Sequence, residues 1–136
     1  MPDQAESSRS VWRIDPASGQ MTGRVDTGGH PAEIAFGFGS GWVTHSDGVT
    51  RFDPRDGRQQ ARITGPGGQL GGIAITPDAV WVTSTADNRL SRIDPSTNQP
   101  VASLVACTGP RHLIVVGDDI WVLCGNAGML VRVHPN

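Results

Sequence analysis

Short apolar runs alternate with turn-forming residues along this chain, and none is longer than one strand needs. In the best-formed stretch, Gly72-Ile73-Ala74-Ile75-Thr76 is apolar and ends at a turn signal, Pro77-Asp78. Val80-Trp81-Val82-Thr83-Ser84 follows, β-branched and aromatic as strands favour. Ala86-Asp87-Asn88 turns the chain, Leu90-Ser91-Arg92-Ile93-Asp94 returns, and Pro95-Ser96-Thr97-Asn98 turns it again. Val101-Ala102-Ser103-Leu104-Val105-Ala106 completes a set of four strands, lettered A to D. No 3.6-residue period stands out, which excludes stacked helix pairs.

The set recurs. Arg13-Ile14-Asp15-Pro16, Arg51-Phe52-Asp53-Pro54, Arg92-Ile93-Asp94-Pro95 and the decayed Arg132-Val133-His134-Pro135 are spaced by 38, 41 and 40 residues. Trp42-Val43-Thr44, Trp81-Val82-Thr83 and Trp121-Val122-Leu123 keep the same beat. Self-similarity near 40 residues in β-rich units is the signature of propeller blades, and no Gly-His…Trp-Asp pairing marks them as WD40. The predicted fold is all-β, a partial β-propeller of four-stranded antiparallel blades. Residues 11–25 supply strands C and D, 32–64 and 72–106 two complete sets, and 112–133 strands A, B and C. The organisation read from the repeats is a polar tail over 1–10 and blades over 11–136, in repeats 11–48, 49–88 and 89–129 with a fourth starting at 130–136. Closed propellers need four blades or more. About three blades therefore predict either a ring closed by self-association, with a dimer of six whole blades favoured, or a piece of a larger propeller.

Repeated residues read first as structure. In each Asp-Pro turn the aspartate accepts backbone N–H groups and proline pre-sets φ. Gly19, Gly57 and Asn98 then take the left-handed closing position, with Asn98 as the tolerated substitute. Trp42, Trp81 and Trp121 are expected between blades as core. The arginines of strand C sit two residues before the turn aspartate and so share its face. They are expected to pair with it or with a neighbouring blade. Ile34, Ile73 and Leu113 are expected on the hub strands.

Charge narrows the partners. The net charge is −2, and the eleven basic residues are dispersed arginines without a lysine. No electrostatic footprint for nucleic acid or an anionic membrane results. The first ten residues have no apolar run that could serve as a signal peptide. The chain as written is expected in the cytoplasm, or outside it as part of a longer exported protein. Cys107 and Cys124 have no CxxC partner and are expected as two buried apolar thiols rather than a disulfide.

The strings Ile73-Ala74-Ile75, Val80-Trp81-Val82-Thr83 and Leu90-Ser91-Arg92-Ile93-Asp94-Pro95 resemble the bacterial YVTN and virginiamycin B lyase-like propellers over residues 11–135. The resemblance implies that ligands meet the face formed by the D–A and B–C loops, around the central channel. Candidates there are His30, Glu33, Arg111 and His112 from D–A segments, and His45, Asp47, Asp87, Arg89 and Asn126 from B–C loops. Aligning the A strands puts Glu33, Gly72 and His112 at one equivalent position beside the channel mouth. Unlike polar residues at an equivalent position are what a site grafted onto a repeat looks like. The glycines between 65 and 72 lead into a strand, so the N–H fan of a phosphate loop at a helix start is missing.

Two functions follow. The first is a non-catalytic binding or assembly module with no cofactor, no catalytic residue and an unknown protein or small-molecule ligand. The second, implied by the resemblance, is a streptogramin lyase-like carbon–oxygen lyase using a His/Glu cluster with magnesium. Its only material here is Glu33, His30 and His112, since Glu6 lies in the tail.

Overall fold

The computed structural model describes residues 9–65, 67–125 and 128–135, and among these it is all-β. The first sheet pairs β1 (Ser10–Ile14) with β2 (Met21–Asp26). The second runs β3 (Pro31–Gly37), β4 (Ser40–His45), β5 (Gly48–Phe52) and β6 (Gln59–Ile63) in sequence order. The third repeats this with β7 (Leu70–Thr76), β8 (Ala79–Ser84), β9 (Arg89–Asp94) and β10 (Gln99–Val105). The fourth holds β11 (Pro110–Val116), β12 (Asp119–Cys124) and β13 (Met129–Val133). All neighbours are antiparallel, so the sheets are a C–D pair, two whole blades and an A–B–C set. β1 starts at Ser10, which is buried, so this residue belongs to the first sheet and not to the tail.

β7 packs against both β3 and β11, so the A strands line the hub. Strand alternation then gives every blade two different inner faces. One face carries the B-strand tryptophan and looks to the following blade; the other carries the hub isoleucine and looks back. Trp42, Val49 and Ile63 meet Ile73, Val80, Val82 and Ile93 in one core. Ala74, Trp81 and Leu90 meet Leu113, Ile120 and Val122 in the next. Trp42 and Trp81 are buried, and each indole N–H is satisfied within its own blade, on Gly37 O at 3.0 Å and Thr76 Oγ1 at 3.1 Å. One expectation fails at an outer blade: Trp121 is only half-buried. Ile34 lies on hub strand β3 as expected, and is 42% exposed there. Among the described residues no blade follows the Trp121 face, and the first sheet, a C–D pair only, covers Val43 but leaves Ile34 open.

The repeated turn is built as the sequence suggests. Asp15, Asp53 and Asp94 accept from the backbone N–H two residues on, at 3.0, 2.8 and 2.9 Å. Their own carbonyls accept from Gly19, Gly57 and Asn98, whose φ values are 71°, 76° and 59°. Side-chain and backbone hydrogen bonds from Arg55 hold the Asp53 carboxyl down to about 2. The strand-C arginines lie opposite the tryptophans, Trp42 against Arg51 and Trp81 against Arg92. Arg51 stacks over Trp42 at 4.4 Å and reaches the next blade's turn, donating to Pro95 O at 2.6 Å and Asn98 Oδ1 at 2.8 Å. Arg13 reaches Pro54 O and Arg55 O in the same way. These arginines clasp blade to blade.

The cysteines do not remain thiols. Cys107 and Cys124 form a disulfide, with Cα atoms 6.1 Å apart. The segment after β10 crosses to the fourth sheet and lays Cys107 against the buried end of β12, bringing together residues that the strand lettering assigns to different blades.

Candidate binding site at the hub mouth

Each A strand enters the hub through an irregularity of register, between Pro31 and Glu33, Leu70 and Ile73, and Pro110 and His112. Such bulges re-aim the residue beside them. The hydroxyl of the Trp-Val-Thr threonine receives the backbone N–H set free there, Glu33 N to Thr44 Oγ1 at 3.1 Å and Gly72 N to Thr83 Oγ1 at 2.8 Å. The same hydroxyls donate across to the next A strand, Thr44 to Gly71 O at 2.6 Å and Thr83 to Arg111 O at 3.4 Å. Both threonines are fully buried. Sequence reasoning passed over them, although the threefold Trp-Val-Thr/Leu string was the available signal.

This frame brings Glu33 and His112 together. They come from the second and fourth sheets, and His112 Nδ1 makes a direct contact with Glu33 Oε1 across the hub. Gly72, the equivalent residue of the sheet between them, lets the backbone of β11 approach β7 closely. A Cβ there would lie 2.5 Å from Arg111 O, so no larger residue fits without moving β11. Glu33 Oε2 accepts from Ile73 N at 3.2 Å, which fixes the carboxylate. Beside the pair opens a cleft of ≈ 400 Å³ lined by Ala32, Glu33, Gly71, Thr85, Gly109, Arg111 and His112. Arg111 is exposed and its stem lies over Gly125, where a Cβ would fall 2.7 Å from Nε. Glu33 and His112 thus form a pair at the cleft, and Arg111 borders the same cleft with its side chain laid against Gly125.

The remaining candidates lie elsewhere. His45 is fully buried: Nε2 meets Thr50 Oγ1 at 3.0 Å, and Nδ1 accepts from Asp47 N at 3.3 Å. Burial, reinforced by Arg62, pushes its pKa down against the opposing pull of Asp47, so the ring is a neutral structural group. Asp47 pairs with Arg62 at 3.8 Å. Asp87 accepts from Ser84 Oγ at 3.3 Å and Gly68 N at 3.4 Å, shaping its own turn. Arg89 donates to Ser103 Oγ at 3.0 Å on the outer strand. His30 is exposed just before β3, and Asn126 lies outside the described residues. Among the described residues no group of three or more His, Cys, Asp and Glu side chains gathers to hold a metal ion.

Successive antiparallel sheets fanned about a hub, with a polar cluster at its mouth, define a partial β-propeller. No family model matches the sequence, and no curated protein matches it. Solved structures do. The chain superposes on Kuenenia stuttgartiensis hydrazine synthase with a TM-score of 0.74 at 19% identity, over 95% of this chain and 44% of that one. It superposes on the computationally designed Ika4 protein at 0.77 and 12% identity, covering 95% and 81% of the two chains. For U3-55K the values are 0.73 and 12%, over 93% and 46%. The chain therefore spans under half the length of two of these three. At such identities the likeness shows the fold alone.

Proposed function

We propose that this chain is a non-catalytic propeller module, of the YVTN-like type its repeats resemble, which binds a small molecule or a protein segment at the hub mouth. The observation that carries the reading is the convergence of Glu33 and His112 across the hub. This pair joins unlike residues at equivalent A-strand positions and borders a cleft. A cleft bordered by the Glu33–His112 pair and by Arg111 suits a ligand that carries both an acidic group and a hydrogen-bond donor. The test is an amide-resolved NMR titration with zwitterionic and anionic fragments. Shifts are expected around residues 32–33, 71–72 and 109–112, and are expected to vanish in His112→Ala. Binding confined to any other face would overturn the reading.

The Glu33–His112 pair also favours examining the lyase reading. The donor set does not suit magnesium, which is ordinarily held through carboxylate oxygens. Glu33 is the single carboxylate of the cluster, and one of its oxygens already receives the Ile73 amide. Incubation with magnesium and a streptogramin B substrate, followed by mass spectrometry, is expected to show no ring opening. Turnover that disappears in Glu33→Gln would replace the binding reading with the lyase one. The Cys107–Cys124 bond supports residence in an oxidising compartment over the cytoplasm, because disulfides persist there.

A further inference from the structure

We propose that two copies of this chain close one ring, the β11–β12 hairpin of each filling an open slot beside β1 of the other. The slot comes first. Among the described residues β1 is paired by β2 and by no second strand. Between the β1–β2 pair and the second sheet lies a largely apolar cavity of ≈ 350 Å³, bordered by Val11 and Arg13 of β1, residues 22–25 of β2, and Ile34, Phe36 and Phe52. At its floor Ile34 is 42% and Phe36 60% exposed, while Ile73, at the position of Ile34 one blade on, is 6% exposed under its neighbour. The slot is therefore the backward half of an inter-blade interface.

The forward half is on the same molecule, at its far side. Ile114, 63% exposed, lies beside the half-buried Trp121 on the fourth sheet. Their equivalents Ala74 and Trp81 are buried against the next blade. The two halves point away from each other within one chain, so they meet only between chains. Such head-to-tail contacts form a closed ring when the rotation closes.

Arg13 identifies what the slot takes. Arg51, Arg92 and Arg132 each lie over the tryptophan of the paired B strand, at 4.4, 5.7 and 5.7 Å. Among the described residues Arg13 stacks on no tryptophan, although it clasps the next blade as Arg51 does. A B strand entering beside β1 in the common register sets its tryptophan opposite Arg13, and Trp121 is the tryptophan on offer. Leu123 then faces Val11, as Thr83 faces Leu90. β1 thereby takes the place of β13 as strand C, which leaves β13 as the displaced element.

Light scattering and a cross-link test this together. The expected mass is twice 14.4 kDa. Mixing Val11→Cys with Leu123→Cys chains under oxidation is expected to give a linked pair that neither forms alone. Phe36→Asp and Ile114→Asp alter exposed side chains of a single chain, so each is expected to stay folded by circular dichroism but become monomeric. Mixing the two restores one intact interface and is expected to recover dimer in part. A wild-type monomer overturns the proposal and points to a different occupant, such as a segment outside the described residues or a foreign blade. A dimer that survives both aspartate variants overturns it as well, and so does the absence of any disulfide between the Val11→Cys and Leu123→Cys chains.

Discussion

Single residues carry much of the information here because the repeat lets equivalent positions be compared. Gly57 and Asn98 close equivalent turns with positive φ, but they are not interchangeable. Gly57→Val forces a β-branched residue into the left-handed region and is expected to cost about 1–2 kcal/mol in chemical denaturation. The sequence alone suggests that Asn98→Gly is near neutral or better. The structure reverses this, because Asn98 Oδ1 receives Arg51 from the preceding blade. The variant is expected to lose about 1–2 kcal/mol, less whatever the relaxed φ returns, and a neutral result would remove the clasp from the account. His45 makes a pH prediction. Its folded pKa lies below its ordinary value of 6.5, so the unfolded chain takes up a proton that the folded chain refuses. Stability is full above the unfolded pKa and falls as pH drops through it, levelling off below the folded value. Melting temperatures measured from about pH 7 to about pH 5 should fall, and His45→Gln should flatten that part of the profile.

At the scale of the element, what the sequence made legible was whatever repeats. Strand order, the Asp-Pro turn and the inward tryptophans each occur three or four times, and repetition separates structural necessity from accident. The end of the B strand shows where this stops. His45, Ser84 and Cys124 are equivalent and all buried, yet each fastens its surroundings by different chemistry. His45 bonds Thr50, Ser84 Oγ donates to Gly68 O at 2.7 Å, and Cys124 bonds Cys107. No spacing rule reports that, because the partner comes from the blade's own strand C for His45 and from the preceding D–A segment for Ser84 and Cys124. Glu33 and His112 lie between these cases: alignment put them at one position, but only the structure shows that they touch across the hub. The disulfide spans 17 residues of sequence, and loops of that size are worth about 3 kcal/mol in the chain-entropy account. Reduction, or the double change Cys107→Ala and Cys124→Ala, should lower the unfolding free energy from chemical denaturation by roughly that amount while far-UV circular dichroism keeps its β signature. Loss of the whole sheet signal on reduction would mean that the fourth sheet has no stable core of its own.

Over the whole molecule, stability should follow the stack rather than the chain average, since each blade meets only its neighbours. The interface between the second and third sheets and that between the third and fourth each bury a contiguous apolar cluster. The interface between the first and second sheets is smaller, Val25, Val43 and Phe52 with Val11 packed against them. β1 and β2 are therefore the weakest part of a single chain, held mainly by that patch and by the hydrogen bonds of Arg13. Amide hydrogen exchange on the monomeric Ile114→Asp variant should show β1 and β2 opening first. Strands β4, β5, β8 and β9, whose residues are mostly buried, should open last. In the wild type the order should change at one place. A hairpin seated beside β1 covers Ile34 and Phe36 and pairs the open strand edge, so protection of β1 should rise towards that of β5, its counterpart in the second sheet. Protection of β1 that stays low in the wild type, at a concentration where the mass is doubled, would show that the copies join through some other face.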